Sequence, residues 1–202
     1  LKAQDLPNFF EALAQYDGER QTVLGLKLIM HTFLRTNELR LGRWEEIEDW
    51  DTSTPIWRIP ASRMKMRAEH IVPITEPVRE ILVQLKEISG SNEFMFPSIT
   101  KRTGVMSENT LIFAIYRLGY HSKATVHGFR GTASTILNEH QFNSDWIERQ
   151  LAHVERNEVR AAYNSALYLP QRRNMMEWWS AYLNSVENGD TAKISHLRVV
   201  NN

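Results

Sequence analysis

In Ile56-Trp57-Arg58-Ile59-Pro60 and His70-Ile71-Val72-Pro73-Ile74, short apolar runs alternate with polar residues and flank a basic segment, Arg63-Met64-Lys65-Met66-Arg67. Period-two alternation bounded by Pro and Ser predicts two antiparallel strands joined across that segment. Upstream, Arg43-Trp44-Glu45-Glu46-Ile47 has the same length and alternation, which predicts a third strand. Outward from this small sheet the period changes to that of helices. Asp5 is placed to cap a helix that buries Leu6, Phe9, Phe10 and Leu13. Arg20 to Leu34 carries Val23, Leu24, Leu26, Leu28, Ile29 and Phe33, the wide apolar surface of a central helix. Thr36–Leu41, Glu76–Ile88, Ser107–Leu118, Gly128–Glu139, Ser144–Leu151, Asn157–Leu167 and Gln171–Leu183 complete the helical set, with loops at 90–92 and 101–104. The predicted class is α+β, mainly α-helical, with a three-stranded antiparallel sheet on one side. Residues 1–184 form one domain. Residues 185–202 read as a linker followed by a strand-like tail, Lys193 to Val200, that packs in cis or on a neighbouring copy.

Composition narrows the chemistry. The chain has 202 residues with no cysteine, which excludes disulfides, thiolate zinc sites and cysteine nucleophiles together. Lys plus Arg and Asp plus Glu are both 24, so any basic face is local. Lys27 and His31 interrupt the best apolar run, Val23 to Leu34, and no run approaches the roughly 20 residues of a membrane span. The chain opens on Leu1 without a signal peptide and reads as a fragment of a longer cytoplasmic protein. There is no Gly-x-Ser-x-Gly, no His-Glu-x-x-His and no acidic cluster suited to magnesium, so neither a serine hydrolase nor a metal site is expected.

Three places carry reactive groups. His127-Gly128-Phe129-Arg130 sets a His and an Arg three apart at a helix start, on one face. Leu151-Ala152-His153 ends the next helix. Arg160-Ala161-Ala162-Tyr163 lies on a further helix that Asn157 can cap. Taken singly, each has a plainer explanation: most histidines are surface or hydrogen-bonded core residues, and a Tyr behind two alanines suits a core ring.

Taken in order, Arg35, Lys65, His127-x-x-Arg130, His153 and Tyr163 resemble the tyrosine recombinases, the phage-integrase class of DNA breaking and rejoining enzymes. Arg35-Thr36-Asn37-Glu38-Leu39 resembles the family's Arg-x-x-Glu-Leu helix start, and Lys65 its strand-to-strand lysine. His-Gly-Phe-Arg-Gly-Thr-Ala-Ser-Thr and Arg-Gln-Leu-Ala-His resemble prophage and genomic-island integrases in particular. One position departs: the usual glycine two places before the first arginine is Phe33. The likeness runs from about residue 5 to about residue 183.

The resemblance implies a catalytic domain in which Tyr163 attacks a DNA phosphodiester and forms a 3′-phosphotyrosine link, with no metal or other cofactor. Arg35, Arg130 and His153 would hold the phosphate oxygens, His127 the tyrosine proton, and Lys65 would protonate the leaving 5′ oxygen. Glu38, one turn after Arg35, is expected either to hold that region's geometry or pair with a neighbouring arginine, or to be an ordinary solvated acid on a helix. Arg63, Arg67 and Arg160 are expected on the DNA face, extended by Arg117, Lys123, Arg149 and Arg156, with Glu45 to Asp49 facing away. Double-stranded attachment-site DNA is the expected partner. It would be bound by a homotetramer that is monomeric when free, with DNA-bending accessory proteins, on the bacterial nucleoid. The alternatives are type IB topoisomerase-like relaxation and a DNA-binding regulator on the same fold.

Overall fold

The computed structural model describes residues 1–101, 104–153 and 167–190. Eight helices frame its core within those residues: α1 Leu6–Ala14, α2 Arg20–Thr32, α3 Thr36–Arg40, α4 Glu76–Ser89, α5 Thr110–Ile115, α6 Gly128–Glu139, α7 Ser144–Gln150 and α8 Leu169–Glu187. The sheet is β1 Ile47–Glu48, β2 Ile56–Ile59 and β3 His70–Pro73, antiparallel in the order β1-β2-β3. Trp57 pairs with Val72 and Ile59 with His70, so the segment between β2 and β3 is a hairpin that projects Lys65. The predicted mainly helical α+β class is what is found.

Helix α2 is central because it presents a wide apolar face: Leu24, Leu26, Leu28, Ile29 and Met30 are buried, and α3, α4, α5, α6 and α8 pack on it. Gly25 permits the approach of α5, since a Cβ there would lie 3.2 Å from both Leu111 and Phe96. At the end of α2, Phe33 takes φ +63, the left-handed cap that favours glycine. Its ring is nonetheless 1% exposed and meets Trp179 edge-on at 5.6 Å. Removing a buried aromatic ring costs about 3–5 kcal/mol, whereas relieving a left-handed backbone returns only about 1–2 kcal/mol. Phe33→Gly is therefore expected to destabilise the fold by about 1–4 kcal/mol in denaturant titration.

Three local expectations change. Trp44–Glu46 is a 3₁₀ turn and not a strand, because the Glu46 side chain turns inward and accepts from the Arg43 backbone N–H at 3.2 Å and from Trp57 Nε1 at 3.0 Å. Asp5 precedes α1, but its carboxylate accepts from Lys2 N–H and so closes the turn before the helix. The segment after Leu183 is not yet a linker: α8 continues to Glu187, burying Ser185 and Val186 and pairing Lys27 with Glu187 at 2.5 Å. The strand-like tail, Lys193 to Val200, and the helix expected from Asn157 lie outside the described residues. No helix among the described residues is long and apolar enough to cross a membrane.

Candidate active site

The reversal at Phe33 delivers Arg35 to the N-cap of α3. Glu38, 2% exposed, accepts from the Arg35 backbone N–H at 2.8 Å and from its Nη1 at 2.7 Å. The carboxylate therefore caps the helix and orients the guanidinium at once. Arg35 Nη2 donates to the Ala152 carbonyl at 3.2 Å, reaching a segment distant in sequence.

Helix α6 begins where Thr125 Oγ1 accepts from the Gly128 N–H at 2.9 Å. That cap leaves His127 exposed at the helix start, with Arg130 one turn on and 3% exposed. Arg130 Nη1 donates to the Phe33 carbonyl, and its Nη2 donates to the Leu151 carbonyl at 2.6 Å and to His153 Nε2 at 3.3 Å. Its Nε is buried and finds no acceptor among the described residues. Burial first, and then the neighbouring charge of Arg35, lowers its pKa to about 10, so it stays cationic at neutral pH.

His153 follows α7, whose Asn143 cap accepts from Asp145 N–H. Its backbone N–H donates to the Glu148 carbonyl at 3.0 Å, and its Nδ1 lies 2.7 Å from Glu148 Oε2. A guanidinium only donates, so Nε2 accepts from Arg130 and the assigned tautomer carries its proton on Nδ1, toward Glu148.

The β2–β3 hairpin closes the third side. Arg35, Glu38, Arg63, Lys65, Asn109 and His127 line one open cleft. Lys65 and Arg67 are exposed, the latter at φ +52 near the hairpin tip. Arg63 does not share that freedom. Its Nε and Nη2 grip the Glu46 carboxylate at 2.6 and 2.5 Å, its Nη1 donates to the Glu38 carbonyl at 3.1 Å, and its side chain is 12% exposed. Arg63, expected on the DNA face, is thus tied internally to Glu46 and Glu38 while it lines the cleft. Glu46, expected on an outward acidic face, is its buried partner.

Electrostatics centres on His127. Partial burial, followed by Arg130, Arg35, His153 and Lys65 in that order, lowers its pKa and favours the neutral imidazole. The structure thus draws Arg35, Lys65, His127, Arg130 and His153 to one place. Tyr163, Arg160 and Arg156 lie outside the described residues.

Sequence reading missed the supports. Glu148 carried a signal, five residues before His153. Arg172 carried none: it is 1% exposed, binds Gln150 Oε1 through Nε and Nη2 at 3.1 and 2.7 Å, and donates to the Ile71 carbonyl at 2.5 Å. Gln150 in turn donates to the Thr32 carbonyl at 3.0 Å. Together they join α8, β3, α7 and the end of α2.

The chain is similar to known proteins over most of its length. The model of the phage integrase family matches residues 1–169. The integrase of Enterobacteria phage P4 is 44% identical over 204 residues, covering 93% of this chain and 46% of that protein. The integrase of Shigella phage Sf6 is 39% identical, covering 91% of this chain and 47% of that protein. Prophage integrase IntA of Escherichia coli strain K12 is 43% identical, covering 82% and 39% respectively. The chain spans less than half the length of these relatives.

Proposed function

The chain belongs to the phage integrase family, and from that premise we propose that it is the catalytic domain of a site-specific DNA recombinase that cuts and rejoins duplexes through Tyr163. The observation that carries this reading is the gathering of Arg35, Lys65 and His127 in one cleft, with Arg130 hydrogen-bonded to His153 beside them and the surrounding cations favouring the neutral imidazole at His127. The Tyr163 oxygen attacks the phosphorus, the bond to the 5′ oxygen breaks, and a 3′-phosphotyrosine conserves the bond for religation. A phenol with an ordinary pKa of about 10 needs a proton acceptor, and neutral His127 supplies it. Lys65 returns a proton to the departing 5′ oxygen.

Negative charge on the non-bridging oxygens meets the forks of Arg35 and Arg130, which Glu38 and the Phe33 and Leu151 carbonyls hold in place before substrate arrives. For His153 to join them as a donor, its Nε2 must carry a proton, which is the imidazolium form with Glu148 as counter-ion. Neither metal nor ATP enters the scheme.

Duplex attachment sites are the substrate, gripped through phosphates by Arg67 and Arg160, so affinity falls steeply with salt. The active form is a tetramer on DNA, assembled from free monomers with accessory bending proteins on the nucleoid.

A plasmid carrying two copies of the element–host junction, treated with the protein in EDTA and without ATP, is expected to yield the excised circle. Relaxed plasmid without exchange would point instead to topoisomerase chemistry. Binding without any cut strand would point to a regulator.

A further inference from the structure

We propose that Arg63 and Glu46 form a strut at the base of the β2–β3 hairpin that positions Lys65 for leaving-group protonation. The inference rests on the reading of Lys65 as the acid. Three features of the geometry carry it.

First, the strut joins the two halves of the site. One guanidinium holds the Glu46 carboxylate at 2.6 and 2.5 Å and the Glu38 carbonyl at 3.1 Å. Glu38 is the residue that grips Arg35. Arg63 therefore ties the foot of the Lys65 hairpin to the helix that presents Arg35.

Second, the tie is shielded from water where the hairpin tip is exposed. The side chains of Arg63 and Glu46 are 12% and 5% exposed, and Glu46 also accepts from Trp57 Nε1 and from the Arg43 backbone. A bidentate fork shielded from water fixes direction as well as distance. Beyond it, residues 65–69 are all exposed. The Arg67 N–H closes a turn on the Met64 carbonyl at 3.0 Å, and Arg58 bridges Glu48 and Glu69 at 2.8 Å each, but these bonds stay within the sheet and its hairpin. Arg63 ties the Lys65 leg to Glu38 of α3.

Third, Lys65 needs such a foot. It is separated from Arg63 by one residue, Met64, which is 5% exposed. A lysine is a compact charge on a flexible stem, so delivering a proton to one oxygen depends on where its backbone is held. A misplacement of about 1 Å costs about 10²-fold in rate.

The test separates proton delivery from general damage. Single-turnover cleavage is measured on two nicked junction duplexes, one ordinary and one with sulfur in place of the 5′-bridging oxygen at the scissile phosphate. A thiol has a pKa of about 8.5, so its thiolate leaves without a proton, whereas an alkoxide does not. The variant is Arg63→Met/Glu46→Gln, which avoids stranding a buried carboxylate. Arg63→Lys, keeping the charge without the fork, serves as the milder change.

The double variant is expected to cleave the oxygen substrate about 10²-fold more slowly and the sulfur substrate within about threefold of wild type. Arg63→Lys falls between, and Lys65→Ala gives the same pattern more strongly. Equal slowing on both substrates, or no slowing on either, overturns the strut. Rescue of Lys65→Ala without rescue of the double variant also overturns it. If sulfur fails to rescue Lys65→Ala, the acid assignment itself falls, and the inference with it.

Discussion

Tyr163→Phe is expected to reduce cleavage of a junction duplex by at least about 10⁴-fold while leaving affinity within about threefold. The substitution removes one oxygen and no charge. Affinity in a phosphate-dominated complex comes from Lys and Arg, so binding persists. The rate does not, because the oxygen removed is the one that forms the new bond to phosphorus. The measurement pairs a salt-controlled binding titration with single-turnover cleavage on the same duplex. A Tyr163→Phe chain that cuts at the wild-type rate would place the nucleophile elsewhere.

Arg130→Lys is expected to slow cleavage by about 10²–10³-fold, the cost of losing one pre-aimed donor to a developing anion. The substitution keeps a positive charge, so a purely electrostatic contribution would survive it. What it removes is the fork. Arg130 holds the Phe33 and Leu151 carbonyls with its two Nη atoms while its Nε remains without an acceptor among the described residues. A lysine has one nitrogen for all three tasks. The two carbonyls lose donors at about 1–3 kcal/mol each, so the melting temperature should fall as well. Rate loss beyond that explained by unfolding is read at a temperature where both proteins are fully folded. Unchanged kcat at such a temperature would remove Arg130 from the reacting centre.

The helices were legible where apolar spacing alone decides them. α1, α2, α4 and α6 fall within a residue or two of the periods that predict them, because each buries one continuous face. Residues 43–47 were misleading for a physical reason. Alternation assumes that acidic positions face water, whereas Glu46 faces inward to meet Arg63 and Trp57. The internal tie of Arg63 was hidden by the same token: a count of charges between residues 58 and 70 cannot see a partner that lies in the preceding turn.

In the site, the His127–Arg130 pair was legible because helical spacing is local. The contacts that assemble the rest were not. Arg35 meets the Ala152 carbonyl across 117 residues, and Arg130 meets Phe33 across 97. Only the order of residues shared with a known family linked them in advance. Phe33 shows how the two kinds of reading complement each other. The sequence marks the missing glycine. The structure supplies its reason, a left-handed helix cap, and the compensation, a ring buried against Trp179.

Covalent attack by one tyrosine leaves a protein–DNA adduct that mass spectrometry can locate. The protein is incubated in EDTA with a nicked junction duplex whose cut fragment diffuses away, then denatured and digested with protease and nuclease. The expected product is a peptide containing Tyr163 that carries a nucleotide through its 3′ phosphate. An adduct on another residue, a link to a 5′ phosphate, or no denaturation-resistant adduct at all would contradict it.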